Sequence, residues 1–138
     1  MEKLLIDTNI IIDLLAKRAG FYLDAQQIFT SAEKKNIELN ISSLTFANTY
    51  YILSRYLNAT ETRKTMIKFK ALTNVLPLDD KIIELALVSD YTDFEDAIQY
   101  YTAIENQLDI IITRNKKDFR MSGIPVLSPK EYIALQIL

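Results

Sequence analysis

A chain of 138 residues with 49% hydrophobic and 25% charged side chains suits one soluble globular domain. Its net charge of −2 gives it no bulk basic character, so nucleic-acid binding would rest on a local patch or on metal ions. The absence of cysteine and histidine excludes disulfides, thiol nucleophiles, Ser-His-Asp triads, histidine-based ribonuclease chemistry and the usual zinc sites, leaving carboxylates with an oxygen-seeking metal as the natural carriers of catalysis.

The chain order begins with a short buried strand at Lys3–Ile6 and a helix over Ile10–Ala16 that breaks near Gly20. Apolar residues at Phe21, Ala25, Ile28, Phe29 and Ala32 predict a helix over Phe21–Lys35. A second strand is expected at Ile37–Ile41. Helices are expected over Leu44–Leu57 and Glu61–Leu72, separated by the Asn58-Ala59-Thr60 cap signal. Val75–Leu78 reads as a weak strand whose proline places it near an edge. Asp79 or Asp80 then caps a helix running to about Val88. Phe94–Leu108 is expected as a helix with a stripe of Phe94, Ala97, Ile98, Tyr101, Ile104 and Leu108, opened by a Thr92–Glu95 capping box. Strands at Asp109–Thr113 and Val126–Leu127 and a helix over Lys130–Leu138 complete the chain.

With 2 glycines and 3 prolines there is no linker or repeat, so a single domain is expected over 1–138. The longest apolar run falls far short of the roughly 20 residues that span a bilayer. Met1-Glu2-Lys3 enters a strand with no leader pattern, so a cytoplasmic protein without a membrane partner is expected. Strands alternating with helices predict an α/β domain with a central, mostly parallel sheet of about five strands. In such sheets the site lies beyond the C-terminal strand ends. That rule selects Asp7, Ser42-Ser43 and Thr113-Arg114-Asn115.

Asp7 sits between Leu4-Leu5-Ile6 and Ile10-Ile11-Ile12. A carboxylate there either caps the following helix or meets something positive. Asp96 lies beside Ala97 at the margin of a buried helix face, with Asp93 three residues earlier. Acids also favour a first helical turn through the macrodipole. In IIITRNKKDF a buried strand ends in Thr113 and a polar loop carries Asn115 and Asp118. Arg114, Lys116 and Lys117 make it the most basic short window, either to meet phosphates or to solvate the loop. Asn48, one turn into the helix after the second strand, says nothing by itself.

Taken together, LLIDTNIIIDLL, ISSLTFANTYYIL, FEDAIQYYTAIENQLDIIITRNKKDF and IPVLSPKEYI resemble, in order and spacing, the PIN-domain nucleases, which include the VapC-type toxins of toxin–antitoxin pairs. The resemblance covers essentially the whole chain and is similar to the subfamily with FEDA and TRNxxDF stretches. It implies a three-layer α/β/α fold, Mg²⁺ or Mn²⁺, and hydrolysis of RNA. It implies that Asp7, Asp96 and Asp118 bind metal, with Asn48 and Asn115 acting beside them and Asn9, Asp93 and Thr113 in support. Arg114, Lys116 and Lys117 are then candidate RNA contacts. An antitoxin protein and a homodimer are implied as partners. Many relatives carry Glu where Asn48 stands, and Asn drops one negative charge. Asp93 or Glu95 is a candidate replacement. Without one, a PIN-fold binding module lacking turnover is the alternative. Haloacid-dehalogenase enzymes want a second acid where Asn9 stands. Receiver domains want paired early acids and a later strand-end lysine. Neither pattern is present.

Overall fold

The computed structural model describes residues 1–137. Strands β1 (Glu2–Ile6), β2 (Ile37–Ser42), β3 (Thr73–Leu76), β4 (Ile110–Ile112) and β5 (Val126–Leu127) form one five-stranded sheet in the order β3-β2-β1-β4-β5. Every adjacent pair is parallel, with registers such as Leu4↔Leu39 and Leu5↔Ile111. Parallel neighbours cannot be joined by hairpins. Helices join each strand to the next in the chain except β4 to β5, which a loop with a short 3₁₀ turn joins, and a last helix follows β5. These helices are α1 (Thr8–Leu15), α2 (Tyr22–Glu33), α3 (Ser43–Leu53), α4 (Ala59–Ala71), α5 (Asp80–Val88), α6 (Phe94–Glu105) and α7 (Pro129–Ile137).

The two-residue alternation along β1 explains the three layers. Leu4 and Ile6 point to one face, where they join Ile10, Ile28, Phe29, Leu53, Met66, Phe69 and Tyr132 from α1, α2, α3, α4 and α7. Leu5 points to the other face and packs with Ile111, Ala103 and Phe119. There α5 and α6 pack together through Ile82, Ala86, Ala97 and Ile98. With both faces covered, central strands read as unbroken apolar runs. Between α1 and α2 the chain reverses at Gly20, whose φ of +86° suits glycine.

Several element boundaries differ from those expected. Helix α1 begins at Thr8 because Asp7 caps it, accepting a bond from the Thr8 N–H. Strand β3 starts earlier, at Thr73, and its edge position leaves Pro77 outside the ladder. The polar loop after β4 contains a 3₁₀ turn, Lys116–Phe119. Leu138 of the expected last helix lies outside the described residues.

Helix α6 departs most. Its N-cap is Asp93, which accepts from the Asp96 N–H, so the Thr92–Glu95 box does not form. Phe94 and Ile104 of the expected stripe are 45% and 36% exposed, and Leu108 lies beyond the helix end. Ala97 and Ile98 of the stripe are buried as expected, and because the helix is pressed between the sheet and α5, Gln99, Thr102 and Ala103 are buried with them. Ser42 and Ser43 are also structural. Ser42 caps α3 by accepting from the Thr45 N–H, and the Ser43 hydroxyl accepts from the Leu78 N–H. Among the described residues, no helix is long and apolar enough to cross a membrane.

Candidate active site

The strand order reverses between β1 and β4, whose C-terminal ends lie side by side. The Asp7 N–H donates to the Ile112 carbonyl at 3.0 Å. Such a switch point opens a crevice, and side chains just past the two strands face it. Asp7 leaves β1, and Thr113 leaves β4. Asn115 and Asp118 follow on the 3₁₀ turn, Asn48 comes from α3, and Asp96 comes from the first turn of α6.

Asp7 is both helix cap and pocket residue. Its Oδ1 accepts from the Thr8 N–H at 2.7 Å, and its Oδ2 accepts from the buried Thr113 hydroxyl at 2.7 Å. The Gln99 amide reaches Oδ1 at 3.4 Å and donates at 2.6 Å to the Thr45 hydroxyl. Asn9 adds a long 3.5 Å contact to Oδ2 and accepts a similar one from the Arg114 N–H. The Thr113 hydroxyl also accepts from the Asn115 N–H at 3.0 Å, and the Asp118 N–H donates to the Asn115 carbonyl at 3.0 Å. A continuous set of hydrogen bonds therefore ties Asp7 to the segment carrying Asn115 and Asp118.

Asp7, Asn48, Asp96, Asn115 and Asp118 line one pocket of about 290 Å³. Asn9, Glu95, Gln99 and Arg18 also line it. Asn48 lies against Glu95, with its amide nitrogen 3.5 Å from the Glu95 carboxylate. Asp93, as the cap of α6, faces a neighbouring cavity instead. The three candidate RNA contacts separate. Arg114 grips the buried Asp13 carboxylate with two bonds, at 2.7 and 3.2 Å, and stacks over the Phe21 ring at 3.9 Å. Lys116 pairs with Glu131 at 2.9 Å, while Lys117 lines the neighbouring cavity.

The electrostatics of the pocket favour a cation. Burial pushes the Asp96 carboxyl up to about 7, and the charges of Asp93, Asp118, Asp7 and Glu95 push the same way. Asp7 is also raised, chiefly by burial and partly by Asp118, although bonds from Thr113, Thr8 and Gln99 hold it down. Among the described residues, no three acids stand close enough to hold an ion where they are. The donor set is all oxygen, the chemistry of Mg²⁺ and Mn²⁺ sites. Among the described residues the buried Gln99 Oε1 has no hydrogen-bond partner, which leaves one more oxygen free beside Asp7. In donor chemistry these residues suit a hard divalent cation, and their carboxylates would have to draw together around it.

Three of these pocket and bracing residues carried no clear signal in the sequence, and a fourth carried one that went unread. Gln99 and Thr45 are ordinary polar residues at helical positions, and Arg18 is an ordinary cation in the turn between α1 and α2. Asp13 stands inside IIIDLL, and a charge within an apolar helical run is the same signal that marks Asp7.

A PIN-domain family model matches residues 3–117 of the chain. The chain belongs to the PIN-domain family. The PIN domain has solved structural counterparts in toxin–antitoxin systems. A toxin–antitoxin complex from Klebsiella pneumoniae contains a chain 32% identical, with a TM-score of 0.67, covering 91% of this chain and 96% of that one. FitAcB from Neisseria gonorrhoeae is 20% identical with a TM-score of 0.70, covering 92% and 98%. VapC20 from Mycobacterium tuberculosis, a sarcin-ricin loop cleaving toxin, is 14% identical with a TM-score of 0.62, covering 78% and 86%. No curated protein sequence matches the chain.

Proposed function

We propose that this PIN domain is a Mg²⁺- or Mn²⁺-dependent endoribonuclease and the toxin of a toxin–antitoxin pair. The observation that carries the reading is the gathering of Asp7, Asp96 and Asp118, from three separate elements, around one pocket at the sheet's switch point. These three would hold the ion, with the side-chain oxygens of Asn48 and Asn115 beside them. When bound, the ion relieves the repulsion among the acids, supplies a water acidic enough to ionise near neutral pH, and offsets charge on a phosphoryl oxygen. The protein's share is positioning. Thr113 and Gln99 fix the Asp7 carboxylate, and the Asn115–Asp118 turn is tied to the same hydroxyl. Glu95 brings a fourth carboxylate to the pocket beside Asn48, which favours turnover over a binding module despite the asparagine.

The Klebsiella relative sits in a complex with an antitoxin, which supports a protein partner for this chain. A homodimer belongs to the same reading, and sedimentation of the purified chain at monomer mass would remove it. The central test is RNA cleavage at saturating Mn²⁺. The Asp7→Asn and Asp96→Asn variants are expected to lose at least 100-fold in rate, about 2.7 kcal/mol of activation free energy. Unchanged cleavage by either variant overturns the assignment.

A further inference from the structure

Five cations lie on the segments that flank the acid pocket, only Arg18 lining it, and their partners divide them. Arg18 lies 3.7 Å from Asp13, and Arg114 holds the same carboxylate at 2.7 Å. Lys116 is paired with Glu131. Among the described residues, Lys117 and Arg120 form no ion pair. Both line a second cavity, of about 580 Å³, which shares Asp96 and Asp118 with the first. The two cavities therefore meet at the proposed metal ligands.

The local backbone explains why these two cations act together. Lys117 lies in the 3₁₀ turn and Arg120 follows it directly. In a 3₁₀ turn residues three apart stand above one another, so both cations are presented on one side. The segment before α6 brings Asp90 and Asp93 to the same cavity, so that wall repels a polyanion, while Lys117 and Arg120 attract it from the 3₁₀ wall, on which Asp118 is the one acid. A chain of phosphates leaving the acid pocket would run along the basic wall.

We propose that Lys117 and Arg120 bind the phosphates of the RNA strand next to the cleaved position, in a groove that continues the acid pocket. This rests on the nuclease reading above. Arg114 and Lys116, although in the same basic window, brace the fold and do not contribute to this path.

The test is the salt dependence of RNA binding, measured by anisotropy of a labelled single-stranded RNA with Mn²⁺ present. An Asp96→Asn background stops turnover on the reading above. Each phosphate contact on a single strand contributes a slope of about −0.7 in log K against log salt, so Lys117→Ala with Arg120→Ala should flatten the slope by about 1.4. Lys117→Arg with Arg120→Lys should keep the parent slope, and Lys34→Ala, at the far end of the sheet, should leave it unchanged. In the cleaving protein the double alanine variant should raise KM at least tenfold and change kcat less than threefold. An unchanged slope in a variant that still binds RNA overturns this proposal and leaves the nuclease reading intact. Failure of the parent to bind RNA in a salt-dependent way overturns both.

Discussion

Asp96 ties site chemistry to stability through one proton. An unfolded aspartate titrates near 3.8, whereas Asp96 in the folded chain is pushed up to about 7. Between those values the folded state holds more proton than the unfolded state, so the contribution of Asp96 to stability falls as pH rises. It is fully present below the unfolded value and lost as pH passes the folded one. Asp7, raised in the same direction, adds to the trend. For the metal-free protein, Tm should decline between about pH 4 and pH 7 beyond what the other groups produce. Asp96→Asn removes the proton and should flatten that decline, which paired melting curves across the range would measure. A wild-type curve no steeper than that of the variant would contradict the repulsion assigned to this pocket. Asp7 itself was legible as a charge between apolar runs, but the tripeptide left cap and ligand as alternatives. The structure shows why they compete in sequence and not in space. One oxygen caps α1, the other accepts from Thr113, and the carboxylate still lines the pocket.

At the level of elements, the packing that aligns the site depends on an ion pair between α1 and the segment after β4. Asp13 is 1% exposed, and Arg114 reaches across from the end of β4 to hold it. This joins α1 to the segment that presents Asn115 and Asp118. Breaking a buried pair by removing one partner costs about 3 kcal/mol at the lower end of the usual range. Arg114→Ala should cost about that lower figure, because Arg114 is partly exposed and Arg18 stays near the carboxylate. Urea denaturation would read it as a shift in midpoint at constant slope. A midpoint within error of wild type would return Arg114 to the pool of free cations. The basic window was legible in the sequence, but its internal division was not. Among the described residues, Arg114 and Lys116 each meet a distant acid and Lys117 meets none, and Asp13 and Glu131 are brought there by tertiary packing. Helix α6 fails to follow its stripe for a related reason. Periodicity describes a helix with one buried side, whereas α6 is enclosed by both sheet and α5, so Gln99 and Thr102 are buried in place of Phe94 and Ile104.

For the whole molecule, the architecture was legible because a parallel sheet covered on both faces leaves near-continuous apolar strands alternating with amphipathic helices. The strand-end rule selected the ends of β1, β2 and β4, and the strand order of the structure then singled out the β1–β4 crevice as the candidate site. What sequence order cannot supply is closure. Residues about ninety positions apart, such as Asp7 and Gln99, touch only after the sheet has assembled. That separation has an energetic consequence for an ion bound by Asp7, Asp96 and Asp118. The ion would couple β1, α6 and the 3₁₀ turn, three elements whose acids otherwise repel one another. Because an unfolded chain holds no such arrangement, binding stabilises the folded state by mass action, about 2.7 kcal/mol when free metal is a hundred times its Kd. Thermal melts with Mn²⁺ should show that gain for wild type and lose it in Asp7→Asn. The gain should also be local. Hydrogen exchange at the Asn115–Phe119 backbone should slow on adding metal, because that turn is anchored to the pocket through the Thr113 hydroxyl and Asn115. Stabilisation by Mn²⁺ that survives in Asp7→Asn would mean the ion binds elsewhere on a surface with 18 acidic residues. Protection of the turn that depends on Asp7 would instead link the metal to the one place where the two halves of the sheet meet.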